Sequence, residues 1–456
     1  MNILQTYIPQ DRLRALAYDE ILPDRTSGTA LFADISGFTP LTESLRHLLG
    51  QRRGAEELTK HLDTVYTALI TEIERYGGSV IAFAGDAVTC WFDERTMDNG
   101  QQTMVNDPSS AVYAVTCAFA LQQVMQAFKA IALPNGTTTA LALKVAVASG
   151  LARRFVVGDP SIHYLDALAG ATVARTSTGE HLSERGDVLL DEATVNALGS
   201  SLTVHEWRTD PDSNERFIAV RKSDWQSDLQ PSLPASPTPE LSLEQLRDWL
   251  HKAQIEREQS FLTEFRPCVA LFVRFMGIDY DSDSAESELD AFIRQMQTIV
   301  TRHAGTLMDI NIGDKGSYAY VNFGALSAHE DDARRAVKTA LELKQASELQ
   351  LQMGITQGVM RVGAYGGATR KMFGALGDDV NLAARLMTTA SGGEILLSGH
   401  VHKAVTNDFV SEPRPPLPMK GKAEPLPVFA VTGGKTTARY SFAGADVCPA
   451  DGGKTK

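Results

Sequence analysis

Ala30-Leu31-Phe32-Ala33-Asp34-Ile35-Ser36-Gly37-Phe38 is answered far down the chain by Ala270-Leu271-Phe272-Val273-Arg274-Phe275-Met276-Gly277-Ile278. Two further echoes follow in the same order. Gly77-Gly78-Ser79-Val80 leading to Ala84-Gly85-Asp86 matches Ala304-Gly305-Thr306-Leu307 leading to Ile312-Gly313-Asp314, and Val147-Ala148-Ser149-Gly150 matches Ile355-Thr356-Gln357-Gly358. Two long copies point to a pseudo-symmetric pair of domains, because a solenoid needs about three or more short units.

Each copy reads as strand, long helix, hairpin, helix, strand. In the first, residues 29–34 are apolar and β-prone, and residues 55–76 carry helical spacing at Leu58, Leu62, Val65, Leu69 and Ile73. Val80 to Phe83 and Val88 to Phe92 flank Gly85-Asp86 as a hairpin; residues 109–131 read as helix and 143–149 as strand. The expected fold class is α+β: two ferredoxin-like domains, each a sheet covered on one face by helices, forming an intramolecular pseudo-two-fold heterodimer. The expected division is a leader at 1–27, a first domain at 28–225, a linker with a helix at 226–255, a second domain at 256–433 and a flexible tail at 434–456. The linker is marked by Pro231, Pro234, Pro237 and Pro239. Ser242 is placed to cap the helix that follows, with Gln245 as its capping-box partner. The polar stretch Asp93 to Pro108 reads as an exposed loop.

The chain has 456 residues, 43% hydrophobic and 22% charged, a composition suited to folded domains with real cores. Its formal net charge is −13, with no dense Lys/Arg run, which argues against a nucleic-acid partner. A polyanionic substrate would need metal ions and a few placed cations. Cys90, Cys117, Cys268 and Cys448 are scattered, without zinc-like spacing, and suit a reducing, cytoplasmic setting. The start Met1-Asn2-Ile3-Leu4 lacks a basic n-region, and no stretch is expected to reach the roughly 20 apolar residues of a membrane span.

Asp34 closes an apolar strand and Asp86 sits at a hairpin tip. Beside glycine, aspartate is commonly a turn residue; two such carboxylates brought together instead repel unless a cation lies between them. Few oxygen ligands, with positions left open for phosphate, suit Mg²⁺ or Mn²⁺. In Leu376-Gly377-Asp378-Asp379-Val380-Asn381-Leu382-Ala383-Ala384-Arg385-Leu386, Asn381 and Arg385 are four apart and share a helix face. An amide and a guanidinium projecting together can orient a sugar and neutralise charge growing on phosphorus.

The strings Phe32 to Thr39 and Phe83 to Ala87 resemble the metal-binding motifs of class III adenylyl/guanylyl cyclases, and Gly377 to Arg385 resembles that family's transition-state motif. The order of motifs is most similar to the tandem catalytic pair of soluble, bicarbonate-type adenylyl cyclases and bacterial relatives, over roughly residues 28–215 and 265–432. The resemblance implies two metal ions on Asp34, Asp86 and the Ile35 carbonyl, with Asn381 on the ribose and Arg385 on the α-phosphorus. It also implies substrate contacts at Phe38, Thr39 and Gly85, and triphosphate contacts at Lys420 and at Arg153 or Arg154 in the loop after Gly150. The base-reading positions fall at Gly374 and at Asp309 or Ile310, which carry neither the family's adenine-reading Lys with Asp or Thr nor its guanine-reading Glu/Cys pair; the resemblance itself makes ATP the default nucleotide, with GTP the alternative and a weakly catalytic nucleotide-binding module a third reading. The position of a bicarbonate-linked lysine is held by Ala82, with Arg175 near the expected arginine.

The copies are not equivalent. Arg274 stands where Asp34 stands, and a cation there repels metal even though Asp314 remains. Ala174 and Thr178 stand where Asn381 and Arg385 stand. Each copy therefore keeps the half of the site that the other lost.

Overall fold

The computed structural model describes residues 3–94, 109–204, 206–227, 229, 239–256, 264–313, 316–418 and 424–435. Asp314, Lys420 and the stretch 95–108 lie outside the described residues. The first sheet comprises β1 (Arg25–Ser36), β2 (Ser79–Ala84), β3 (Ala87–Asp93), β4 (Ala142–Val157), β5 (Leu165–Ala169), β6 (Val188–Asp191), β7 (Trp207–Thr209) and β8 (Arg216–Ala219). The second comprises β9 (Glu264–Met276), β10 (Thr306–Asn311), β11 (Ser317–Phe323), β12 (Gln350–Gly366), β13 (Lys371–Leu376), β14 (Ile395–Ser398), β15 (Phe409–Leu417) and β16 (Leu426–Gly434).

Their topologies are the same. The first runs β2-β3-β1-β4-β6-β8-β7 with β5 on β4, and the second runs β10-β11-β9-β12-β14-β16-β15 with β13 on β12. Both are mixed sheets, parallel where β4 meets β6 and where β12 meets β14. The register agrees residue by residue: Asp34 lies opposite Ala87 and Lys144, and Arg274 lies opposite Tyr318 and Gln352. The chain is thus an α+β pair of like domains.

Seven helices position the site: α1 (Gln10–Tyr18), α2 (Phe38–Arg75), α3 (Ser110–Val124), α4 (Ala171–Leu182), α5 (Ala285–Arg302), α6 (Asp332–Ala346) and α7 (Asp378–Thr389). The apolar positions expected to face inward from α2 do so, with Leu62, Val65, Leu69 and Ile73 buried. The helical stretch begins earlier than the spacing predicts and breaks at Gly50, where φ is 78°. The expectation of no membrane-length apolar stretch is corrected. Ser110–Phe128 is long and apolar enough to cross one, with a mean hydropathy of 1.3. In this structure Ala114, Val115, Ala118 and Leu121 pack it into the first core.

The domains exchange hairpins. Tyr365, at the end of β12, enters the core of the first domain, while Phe155, Val157 and Leu165, from β4 and β5, enter the core of the second. The Gly158 and Asp159 amides donate to Asp290 and Gln297 on α5 at 2.8 and 2.7 Å. Leu4, Ile8 and Leu13 of the leader pack on Leu241, Leu246 and Leu250. There Ser242 and Gln245 form a reciprocal capping box.

Candidate active site

Asp34 lies near the end of β1, shortly before Gly37, whose φ of 108° starts α2. The Ile35 amide donates to the Asp86 carbonyl at 3.1 Å, which fixes the tip of the β2–β3 hairpin against the end of β1. Asp34 is half-buried, and Asp86 and Gly85 are exposed. Gly85 needs the left-handed backbone (φ 69°) that a side chain disfavours. Its carbonyl accepts a 2.8 Å bond from the Tyr66 hydroxyl on α2. Burial, with Tyr365, Asp86 and Asp34 nearby, holds that phenol well above its ordinary range, so it remains a donor. The backbone at Asp34 is thereby set beside the backbone at Asp86. Ile35 is fully buried and carries no ligating side chain, so its backbone carbonyl is the one group it could give a metal.

The donor set fits a hard divalent cation. Two carboxylates and one carbonyl leave open positions for phosphate oxygens. Among the described residues no group of three or more His, Cys, Asp or Glu forms a closed metal cage. Lys144, opposite Asp34, is engaged by Glu180 at 3.3 Å.

Asn381 and Arg385 lie exposed on one face of α7, while Val380, Leu382, Ala383, Leu386 and Met387 bury the other. The start of α7 is held by Thr356, which donates to the Asp379 carbonyl at 2.6 Å. Gly358 leaves room there for the Asp379 carboxylate, which a Cβ would displace. Arg46, on α2, bridges Asp378 at 2.9 Å and joins the helix leaving the Asp34 strand to the N-terminus of the helix carrying Asn381. Both partners are about half exposed, so the pair locates more than it stabilises. Nothing in the sequence singled out Arg46, one arginine on a polar helix face.

The other expected contacts divide. Phe38 is buried in the first core, so its ring packs there. Thr39 lies at the start of α2 with a side chain outside the description. Arg153 and Arg154 require a correction: they lie within strand β4, not in a loop, and both are buried in ion pairs. Arg153 binds Asp24 at 2.7 Å and the carbonyls of Tyr280 and Ser282. Arg154 binds Asp11 and Asp166, and Arg12 joins Asp166 at 3.0 Å. Neither guanidinium is offered to a phosphate. Arg175 bridges Asp191 at 2.7 Å.

Asp309, on β10, lines an interdomain cavity of about 110 Å³ with Tyr7, Ala82, Phe83, Arg370 and Phe373. Burial pushes its carboxyl up to about 7, with Arg370 pulling the other way. Gly374 pairs with Gly363, and a Cβ there would press within 3.2 Å of the Tyr365 ring.

The opposite half is built differently. Arg274 occupies the Asp34 register and donates to Gln352 at 3.3 Å. A Cβ at Gly313 would meet Ser177 of α4 at 2.9 Å and Val173 at 3.1 Å, whereas a Cβ at Gly85 meets nothing within 4 Å. Gly313 is thus packed against α4 on the degenerate side, whereas Gly85 is open on the side of Asp34 and Asp86.

The family model described as the adenylate and guanylate cyclase catalytic domain matches residues 24–212 and 286–433. The chain belongs to that family, the class III cyclases. It is 24% identical to adenylate cyclase type 10 of Rattus norvegicus over 458 residues, 92% of this chain and 27% of the relative. It is 23% identical to adenylate cyclase type 10 of Homo sapiens, over 94% of this chain and 28% of the relative. The chain therefore spans just over a quarter of the length of these curated relatives. A solved structure of a class III adenylyl cyclase-like ATP-binding protein from Pseudomonas aeruginosa aligns with 87% of this chain and 93% of its own, with a TM-score of 0.55 and 13% identity. It shares the fold.

Proposed function

We propose that this chain is a nucleotidyl cyclase that converts ATP to 3′,5′-cyclic AMP and pyrophosphate at one interdomain site, in a cytoplasmic setting. The observation that carries the reading is the complementary loss: the pair Asp34 and Asp86 is complete only in the first copy, and Asn381 and Arg385 are present only on α7, which Arg46 ties to α2, the helix that follows Asp34.

Asp34, Asp86 and the Ile35 carbonyl would hold two Mg²⁺ or Mn²⁺ ions. When bound, such ions neutralise triphosphate charge and lower the pKa of a ribose hydroxyl. Asn381 orients the ribose so that its 3′-oxygen lies in line with the α-phosphorus. As that oxygen bonds to phosphorus and the bond to pyrophosphate breaks, charge grows on the α-phosphate. Arg385 meets it there, where stabilisation raises rate rather than affinity. Lys420 is the candidate triphosphate contact of the second domain.

A second reading, nucleotide binding with little turnover, is motivated by Asp309 and Gly374 at the base-reading positions and by the ATP-binding Pseudomonas relative of this fold. The deciding experiment supplies purified chain with Mn²⁺ and either ATP or GTP, and measures cyclic product and bound nucleotide together. Cyclic AMP from ATP is the expected result. Cyclic GMP alone reassigns the substrate, and tight binding without product favours the second reading.

A further inference from the structure

Arg370, in the turn between β12 and β13, is buried in the first domain although it belongs to the second. Strand β2 is the edge of its sheet, so its outward carbonyls have no neighbouring strand. A bulge between Val80 and Ala82 disturbs its pairing further. Arg370 supplies the missing donors. Nε donates to the Val80 carbonyl at 3.0 Å and Nη2 to the Ile81 carbonyl at 3.0 Å. Nη1 donates to the Tyr7 carbonyl of the leader at 2.9 Å and to the Lys371 carbonyl at 2.5 Å. One planar fork thus joins three segments, which the single ammonium of a lysine could not reproduce.

The contact continues to the metal hairpin. The guanidinium lies over the Phe83 ring, 5.4 Å from its centre. Phe83 meets Tyr365 and Tyr66 edge-on, at 5.9 and 5.5 Å. Tyr66 in turn donates to the Gly85 carbonyl, next to Asp86.

The molecule carries its own control. Leu165 pairs with Val157 as Met372 pairs with Tyr365. His163, two residues before Leu165, is therefore the counterpart of Arg370. It is buried and neutral, its pKa drawn down to about 3 by burial and by His251, and its Nδ1 has no hydrogen-bond partner. The guanidinium clamp stands only against the hairpin that carries Asp86. His163 lines the interdomain cavity with Thr306, Leu307 and Asp309 of β10.

We infer that Arg370 is a positioning residue for the metal site: by fixing β2 from across the domain interface, it holds the Gly85–Asp86 tip against Asp34. This rests on the proposed function both for the metal site and for its link to turnover. Cyclase kinetics and Mn²⁺ binding with a non-cyclisable ATP analogue, followed by the paramagnetic signal of free Mn²⁺, test it on the full chain. Arg370→Met should weaken Mn²⁺ binding about tenfold. It should lower kcat by about 10- to 100-fold, with nucleotide KM within about threefold. Arg370→Lys should recover part of both losses. Tyr66→Phe, which keeps the interface and deletes one hydroxyl, should move both quantities the same way by less, and His163→Gln should move neither.

Unchanged Mn²⁺ binding in folded Arg370→Met, whatever its melting temperature, would make Arg370 an interface residue only and overturn the inference. If that variant does not fold, unchanged binding in Tyr66→Phe overturns it. An equal loss in His163→Gln would show general loosening of the interface and overturn it too. Wild-type chain that binds Mn²⁺ but forms no cyclic product defeats the turnover of the proposed function and leaves its metal site, and this inference, to the binding data.

Discussion

Replacing Arg154 by methionine separates two uses of one cation, phosphate contact and structural pairing. In the structure the guanidinium is 3% exposed and makes two bonds to Asp11, at 2.7 and 3.2 Å, and two to Asp166. Burial disfavours its charge, but Asp11 and Asp166 outweigh that and keep it cationic. Asp166 is 5% exposed, and Arg154 and Arg12 hold its carboxyl well below the usual range against the cost of burial. The four groups, two arginines and two aspartates, are formally neutral together. Methionine fills much of the volume but leaves the set with one excess negative charge.

Breaking a buried pair by removing one partner destabilises by about 3–5 kcal/mol. For a cooperative unit of this size each kcal/mol shifts the midpoint by about 2–4 °C. The expected fall in melting temperature is therefore about 6–20 °C, read by calorimetry, with nucleotide KM unchanged at a temperature where both proteins are folded. Adding Asp166→Asn should recover part of the loss, because the remaining Asp11 and Arg12 are again neutral together. A melting temperature within about 2 °C of wild type, with nucleotide KM raised tenfold or more, would refute the reasoning and return Arg154 to the phosphate.

Asp34→Ala and Asp86→Ala should abolish cyclic product while shifting the melting temperature by less than about 4 °C, since neither side chain is in a core. Arg385→Ala should lower kcat by about 10²–10³-fold with little change in nucleotide binding, measured by turnover and by titration with an analogue. Asp309 binds its proton more tightly folded than unfolded, so its contribution is fully present near pH 4 and is lost as pH rises through about 7. Asp309→Asn should flatten that decline, seen as melting temperatures that differ less between pH 5 and pH 8 than those of wild type.

The repeat made the architecture legible because its strings are local. An apolar strand ending in Asp34-Ile35-Ser36-Gly37 and a hairpin centred on Gly85-Asp86 are set by residues adjacent in the chain. So is the capping box at Ser242 and Gln245. The loss of each half-site was legible too, since Arg274, Ala174 and Thr178 stand in register with the residues they replace. Long-range pairing was not. Gly150 suggested that a loop begins, but it lies opposite Gly28 within β4, and the strand runs on to Val157. The partners that occupy Arg153 and Arg154 are Asp24 and Asp11, 129 and 143 residues away, and no local pattern announces them. Arg46 and Arg370 escaped notice for the same reason: each acts on the other domain.

The asymmetry of the two clefts follows from the exchange of a single charge. Arg274 ends β9 where a metal ligand would stand, so no divalent ion needs room beside it and no phosphate needs to follow. Freed of that demand, α4 can replace an amide and a guanidinium with Ala174 and Thr178. Its neighbours Val173 and Ser177 then close on Gly313. Such packing rigidifies the interface that the open cleft depends on, because the domains are joined through both hairpins. Burial of Phe155, Val157 and Leu165 on the closed side holds the domains at a fixed separation, and Tyr365 and Arg370 set that separation on the open side.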